Sequence, residues 1–145
     1  MEEIAYHYQT EFSLRNEEKH TDWIIRVIEG YGRMAGELSF IYVSDEMLLK
    51  MNREYLGHDY FTDIITFEYE ELEGVSGDLF ISTDRVIENA RKLQCSEESE
   101  IRRVMIHGVL HLLGYKDKST EEVLKMRQLE EAALKLFHVK HISDV

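Results

Sequence analysis

The run HGVLHLLGYKD, from His107 to Asp117, constrains this chain more than any other stretch. Its two histidines lie four residues apart, so on an α-helix they share one face and can aim both imidazoles at a common point. Gly114 can take the left-handed backbone that ends a helix. The chain then turns, and Asp117 can swing back towards the same point. His107, His111 and Asp117 therefore read as three metal ligands with one position left for water, the stoichiometry of a catalytic zinc. One Zn2+ ion is expected. From Val104 to Leu113 the helix is apolar almost all round, which predicts that it is central and buried. Histidines in such a helix need partners for their ring nitrogens, because burying them unpaired is costly. Hydrogen bonds to backbone or carboxylates could serve without any metal, but Asp117, at the correct offset after a glycine turn, favours the metal.

With 145 residues the chain is long enough for one well-buried core, so a single domain spanning 1–145 is expected. The only cysteine is Cys95, which rules out an intrachain disulfide and allows a reducing compartment. The N-terminal MEEIAYHYQ has neither a basic nor an apolar signal region, and no apolar run approaches the roughly 18 residues of a membrane span. A cytoplasmic protein with no membrane partner is expected. A formal net charge of -12 argues against a protein that coats nucleic acid non-specifically. It does not exclude an enzyme with a small basic patch, since screening beyond about 10 Å makes the local field decisive.

Periodicity and capping residues predict the remaining elements. Ile4 to Tyr8 alternates and reads as a strand at a sheet edge. Asn16 starts a helix with an acidic first turn and an apolar face of Trp23, Ile24, Val27, Ile28 and Tyr31. Glu37 to Val43 reads as a strand. Ser44 caps a helix with Met47, Leu48, Met51 and Tyr55 as its buried stripe. After a loop from Leu56 to Thr62, the apolar start of Ile64 to Tyr69 predicts a strand in the centre of the sheet. Asp78 to Ser82 reads as its hairpin partner. A helix then buries Val86, Ile87, Ala90 and Leu93, and Ser96 begins the motif helix. Ser119 and Glu122 form a capping box for a last helix with Val123, Met126, Ala133, Leu134 and Phe137 as its apolar positions. The tail HVKHISDV is expected to fray. The fold class is α+β: about four strands in one mixed sheet, with helices packed on it and the metal-binding helix at the core.

A third ligand ten positions after the first also occurs in metzincin proteases, but those need a glutamate after the first histidine as general base. Here that residue is Gly108, which disfavours protease chemistry. HGVLHLLGYKD instead resembles the signature of the YbeY family of metal-dependent endoribonucleases, usually H-G-x-L-H-L-x-G-Y-D-H. MNREYLGHDYFTDIITF is similar to that family's L-N-x-x-Y-R…T-D-V-L-S-F segment, and SGDLFIS to its G-D-I-x-I-S strand. The resemblance runs from about Met51 into the last helix. It implies a compact domain with helices layered on a small sheet. The implied activity is cleavage of single-stranded RNA in ribosomal RNA maturation and ribosome quality control. The implied partners are ribosomal RNA and the ribosome, or a small-subunit ribosomal protein.

Two departures from the family pattern bear on chemistry. Asp117 stands where the family has a third histidine, preceded by Lys116 instead of aspartate. A carboxylate in place of a neutral imidazole lowers the net positive charge at the metal, which predicts an alkaline shift of the pH–activity profile relative to an Asp117→His variant. Leu56 stands where the family generally has arginine, a natural phosphate partner. Lys116, Lys118 or Arg53 could supply a cation instead, although a solvated surface charge is the default reading of each lysine. Lys116 and His58, in the loop the family places near its cleft, are the expected substrate-binding residues. Asp63 reads as a loop-orienting or turn residue, and Arg102 and Arg103 as partners of Glu98 and Glu100. No general acid or base is identifiable. The rival to a nuclease is a ribosome-assembly factor with a structural metal, for which the acidic charge suggests a basic protein partner.

Overall fold

The computed structural model describes residues 3–139. The order along the chain is β1 (Glu3–Tyr8), α1 (Glu17–Gly30), β2 (Ala35–Val43), α2 (Asp45–Leu56), β3 (Ile64–Glu68), β4 (Val75–Ser82), α3 (Thr83–Leu93), α4 (Glu97–Leu112) and α5 (Thr120–Phe137). The strands form one mixed sheet in the order β1-β2-β4-β3. β1, β2 and β4 run parallel, and β3 pairs antiparallel with β4 through the expected hairpin. The α+β reading is borne out. Of the tail HVKHISDV, residues 140–145 lie outside the described residues.

Side chains on the strands alternate between the two faces of the sheet, as the period of two requires. Leu38, Phe40 and Tyr42 of β2 join Leu79 and Ile81 of β4 in the main core, with Trp23, Ile24 and Ile28 of α1 and Val104, Met105 and Val109 of α4. Ile41 and Val43 face the other way and form a smaller cluster with Leu48 of α2 and Ile65 of β3. Trp23 is fully buried and its indole N–H donates to the Ala133 carbonyl at 2.7 Å, which ties α1 to α5 without leaving a polar atom unpaired. α4 carries nine buried residues and packs on β3, β4 and the neighbouring helices, as its sequence predicts.

The caps at Asn16, Ser44, Ser96 and Ser119 fall at the expected positions, and Ser82 caps α3. Each accepts a backbone N–H of the following turn, and Ser119 with Glu122 completes a capping box. Three expectations need correction. β3 lies at the edge of the sheet, not its centre. Its apolar start has another cause: Ile65 packs under α2 while Ile64 packs towards α4, so both faces are covered even at an edge. On α2, only Leu48 of the expected stripe is fully buried. Met47 and Tyr55 are exposed, and Asn52 takes an inner position because its amide donates to the Tyr60 carbonyl at 2.8 Å. Leu93, in the last turn of α3, and Val123, in the first turn of α5, are exposed rather than inside.

Candidate metal centre

α4 presents His107 and His111 on one face at the lip of a cleft of about 440 Å³ lined by Leu56, Thr62, Asp63, Ile64, Ile65, Thr66 and Asp117. Gly108, beside the first histidine, faces the sheet. A Cβ there would lie 2.6 Å from Ile64 Cδ1 and 2.6 Å from Leu79 Cδ2. The glycine thus lets α4 approach β3 and β4 closely enough to set the histidines beside the strand that walls the cleft.

Gly114 has φ +105°, and the hydrogen bonds Gly114 N–H to His111 O (2.9 Å) and Tyr115 N–H to Leu110 O (3.0 Å) close the helix around it. The reversal does two things. It returns Asp117 to the cleft, and it brings the Tyr115 carbonyl within 2.9 Å of His111 Nδ1. His107 Nδ1 is held in the same way, 2.6 Å from Glu130 Oε2 on α5. A carbonyl or a carboxylate can only accept, so each histidine donates from Nδ1 and keeps the lone pair on Nε2.

With both rings neutral, those lone pairs face one another. His107 Nε2 and His111 Nε2 are 3.0 Å apart, and Asp117 Oδ2 lies 3.2 Å from the first and 3.4 Å from the second. Three electron-pair donors then converge on one point, which a shared proton or a metal ion would satisfy. Ligand atoms about 2.0–2.1 Å from a tetrahedral zinc would stand roughly 3.3–3.4 Å apart. The spacing and chemistry of the donor set therefore fit a metal ion, and His107, His111 and Asp117 could hold one. The Asp117 side chain is 38% exposed, which leaves the open side of the site towards the cleft.

Behind these three residues lies a buried charge network, of which the sequence reading held only the Arg103–Glu100 pair. Glu130 has one oxygen on His107 and the other 3.3 Å from Arg103 Nη1. Arg103 also grips Glu100 with two nitrogens, at 2.6 and 2.9 Å, and approaches Asp63 at 3.6 Å. Burial alone would lower the His107 pKa, but the hydrogen bond and charge of Glu130, with Asp63 and Asp117, reverse this and leave it raised. Burial pushes the Asp63 carboxyl up, against the pull of Arg103 and His107. A sequence signal for Glu130 did exist: it follows Met126 by four residues and precedes Ala133 by three, and so stands on the apolar stripe of α5.

The other expected residues fall as follows. Leu56 lines the cleft. His58 and Lys116 are exposed and stand outside that lining, the former stacked on Tyr60. Arg53 pairs with Asp59, and the Lys118 backbone N–H donates to Glu122. Arg103 does pair with Glu100, whereas Arg102 lies over the Phe137 ring at 4.3 Å and Glu98 is met by Arg15.

The family model for endoribonuclease YbeY matches residues 4–138, nearly the whole chain. The chain belongs to the YbeY family. It is 46% identical to the endoribonuclease YbeY of Flavobacterium johnsoniae over 137 residues, covering 94% of this chain and 99% of that one. To the endoribonuclease YbeY of Bacteroides thetaiotaomicron it is 45% identical, covering 90% and 98%. The solution structure of a Thermotoga maritima protein superposes with a TM-score of 0.68 at 25% identity, covering 93% of this chain and 89% of the other. The YbeY fold thus persists where three quarters of the residues differ.

Proposed function

We propose that this chain is a metal-dependent endoribonuclease that hydrolyses phosphodiesters of single-stranded RNA during ribosomal RNA maturation. Its relatives' name as endoribonucleases supports the reaction class. The observation that carries the reading is the convergence of His107 Nε2, His111 Nε2 and Asp117 Oδ2 at the edge of an open cleft. We take the ion to be zinc, from two imidazoles and a carboxylate. When bound it would supply Lewis acidity for a phosphate oxygen and lower the pKa of a water.

The protein's own groups prepare that site. Glu130 and the Tyr115 carbonyl hold both histidines as Nδ1–H tautomers, so the ligand nitrogens need no rearrangement. Leu56, Ile64 and Ile65 give the cleft an apolar wall, which strengthens electrostatic contacts made inside it. Asp63 lines the same cleft, its carboxyl pushed up by burial and held against that by Arg103. The acidic surface, net -12, suits a basic ribosomal protein as a partner on the ribosome. Among the described residues no helix is long and apolar enough to cross a membrane, which is compatible with work in the cytoplasm.

The test is cleavage of an end-labelled single-stranded RNA by purified protein beside an identically purified His111→Ala variant. Cutting by the parent alone is expected. Equal cutting by both would point to a contaminating ribonuclease, and none from metal-loaded parent would favour the assembly-factor role.

A further inference from the structure

We infer that the segment joining α2 to β3 is an aromatic arm that binds unpaired RNA bases by stacking. The inference rests on the RNA reading of the cleft. Leu56, the last residue of α2, lines the cleft, and the segment leads directly from it. Tyr60 is 56% exposed and Phe61 50%, alongside the exposed Tyr55 and His58. The His58 ring lies on that of Tyr60 with centroids 5.1 Å apart and planes 18° from parallel. Two nearly parallel flat rings beside a nuclease cleft make a platform suited to the π-face of a base.

The arm is anchored. The buried Asn52 donates its amide to the Tyr60 carbonyl at 2.8 Å and accepts the His58 N–H on its own carbonyl at 3.1 Å. The Arg53–Asp59 ion pair spans the same turn. Tyr60 Oη and His58 Nδ1 are hydrogen-bonded at 2.9 Å, which joins the two rings. An anchored platform loses little freedom when a base settles on it.

Charge explains why the occupant is held through its bases. The guanidiniums near the cleft already have carboxylate partners: Arg53 with Asp59, Arg85 with Asp45, and Arg103 with Glu100, Glu130 and Asp63. A phosphate would have to compete for each of them, on a protein of net charge -12. Stacking escapes that repulsion because the ring faces carry no net charge. It also distinguishes single strands from duplex, whose bases already stack on one another.

The experiment is steady-state cleavage of a short single-stranded RNA by the metal-loaded chain, Tyr60→Ala and Tyr60→Phe. A second substrate carries an abasic nucleotide beside the cut. Tyr60→Ala is expected to raise KM roughly tenfold or more, with a much smaller change in kcat, and Tyr60→Phe to restore the parent value. The abasic RNA should weaken the parent's binding and add little to the loss in Tyr60→Ala. An unchanged KM in Tyr60→Ala overturns the arm while leaving the nuclease intact. If the parent cuts nothing, the nuclease reading fails, and fluorescence anisotropy with the same labelled RNA decides the arm. Equal binding by parent and Tyr60→Ala, or none by either, overturns it; an apolar protein segment would then be the better occupant.

Discussion

Glu130 is 2% exposed, and its two oxygens have different partners, one on His107 and the other on Arg103. A carboxylate this deeply buried is tolerated because both oxygens are matched by donors. Its charge would also make His107 a stronger metal ligand, since an imidazole that donates to a carboxylate is more basic at its other nitrogen. Glu130→Gln keeps the shape and removes the charge. Metal affinity is expected to fall roughly 10–100-fold, read by competition with a chromophoric chelator, with the circular dichroism spectrum unchanged. An unaltered affinity would show that His107 is held by shape alone. Gly114 gives a second test of positioning. A Cβ there meets nothing within 4 Å, so at φ +105° the cost of Gly114→Ala comes from the backbone alone. The loss should be about 1–2 kcal/mol, seen as a lower urea midpoint. Metal affinity should weaken with it, because the Tyr115 carbonyl moves with the turn.

At the scale of elements, the site depends on how closely α4 lies against β3 and β4. Gly108→Ala forces a methyl between Ile64 and Leu79, which overpacks a finished interface. A destabilisation of roughly 1–3 kcal/mol is expected, measured by urea denaturation. If stability were unchanged, the two δ-methyls must be able to rotate aside. The same packing explains why this position could not carry the glutamate of a zincin: a side chain there would enter the sheet, not the cleft. From the sequence, Gly108 was readable only as a missing base. The helices, their caps and the candidate ligand cluster were legible because they depend on local spacing: histidines four positions apart, a serine or asparagine before each apolar run. The edge position of β3 was not, since an apolar run reports covered faces and says nothing about strand order. Glu130 was half visible: its place on the apolar stripe of α5 marks it as buried but does not name its partner. Its partner His107 is distant in sequence, and only the packing of α5 on α4 brings them together.

At the scale of the whole molecule, the three candidate ligands lie at the margin of the core and not inside it. The ligands sit at a cleft edge, whereas the main cluster is built from α1, α4, α5 and the sheet around Trp23, Phe40 and Met105. Chelation should therefore leave the secondary structure intact and lower Tm by only the binding contribution of the ion. Unfolding on chelation would mark the metal as structural. Acid should weaken the fold through another residue, His20. His20 is 3% exposed between Trp23 and Phe137, and its Nδ1 is spent on the Asn16 carbonyl at 2.9 Å. Burial lowers its pKa below 6.5; the Asn16 hydrogen bond and Glu98 oppose this, and Arg102 and Lys19 add to it. A histidine with a depressed pKa binds a proton more readily when unfolded, so its contribution to stability is full above the unfolded pKa. That contribution is lost as pH falls from there towards the folded value, at up to about 1.4 kcal/mol per pH unit. Urea denaturation at pH 7.5 and pH 5 (roughly one unit above and more than one below the free imidazole value) should give a smaller decline for His20→Gln than for the parent. Equal declines would place the acid sensitivity elsewhere in the molecule.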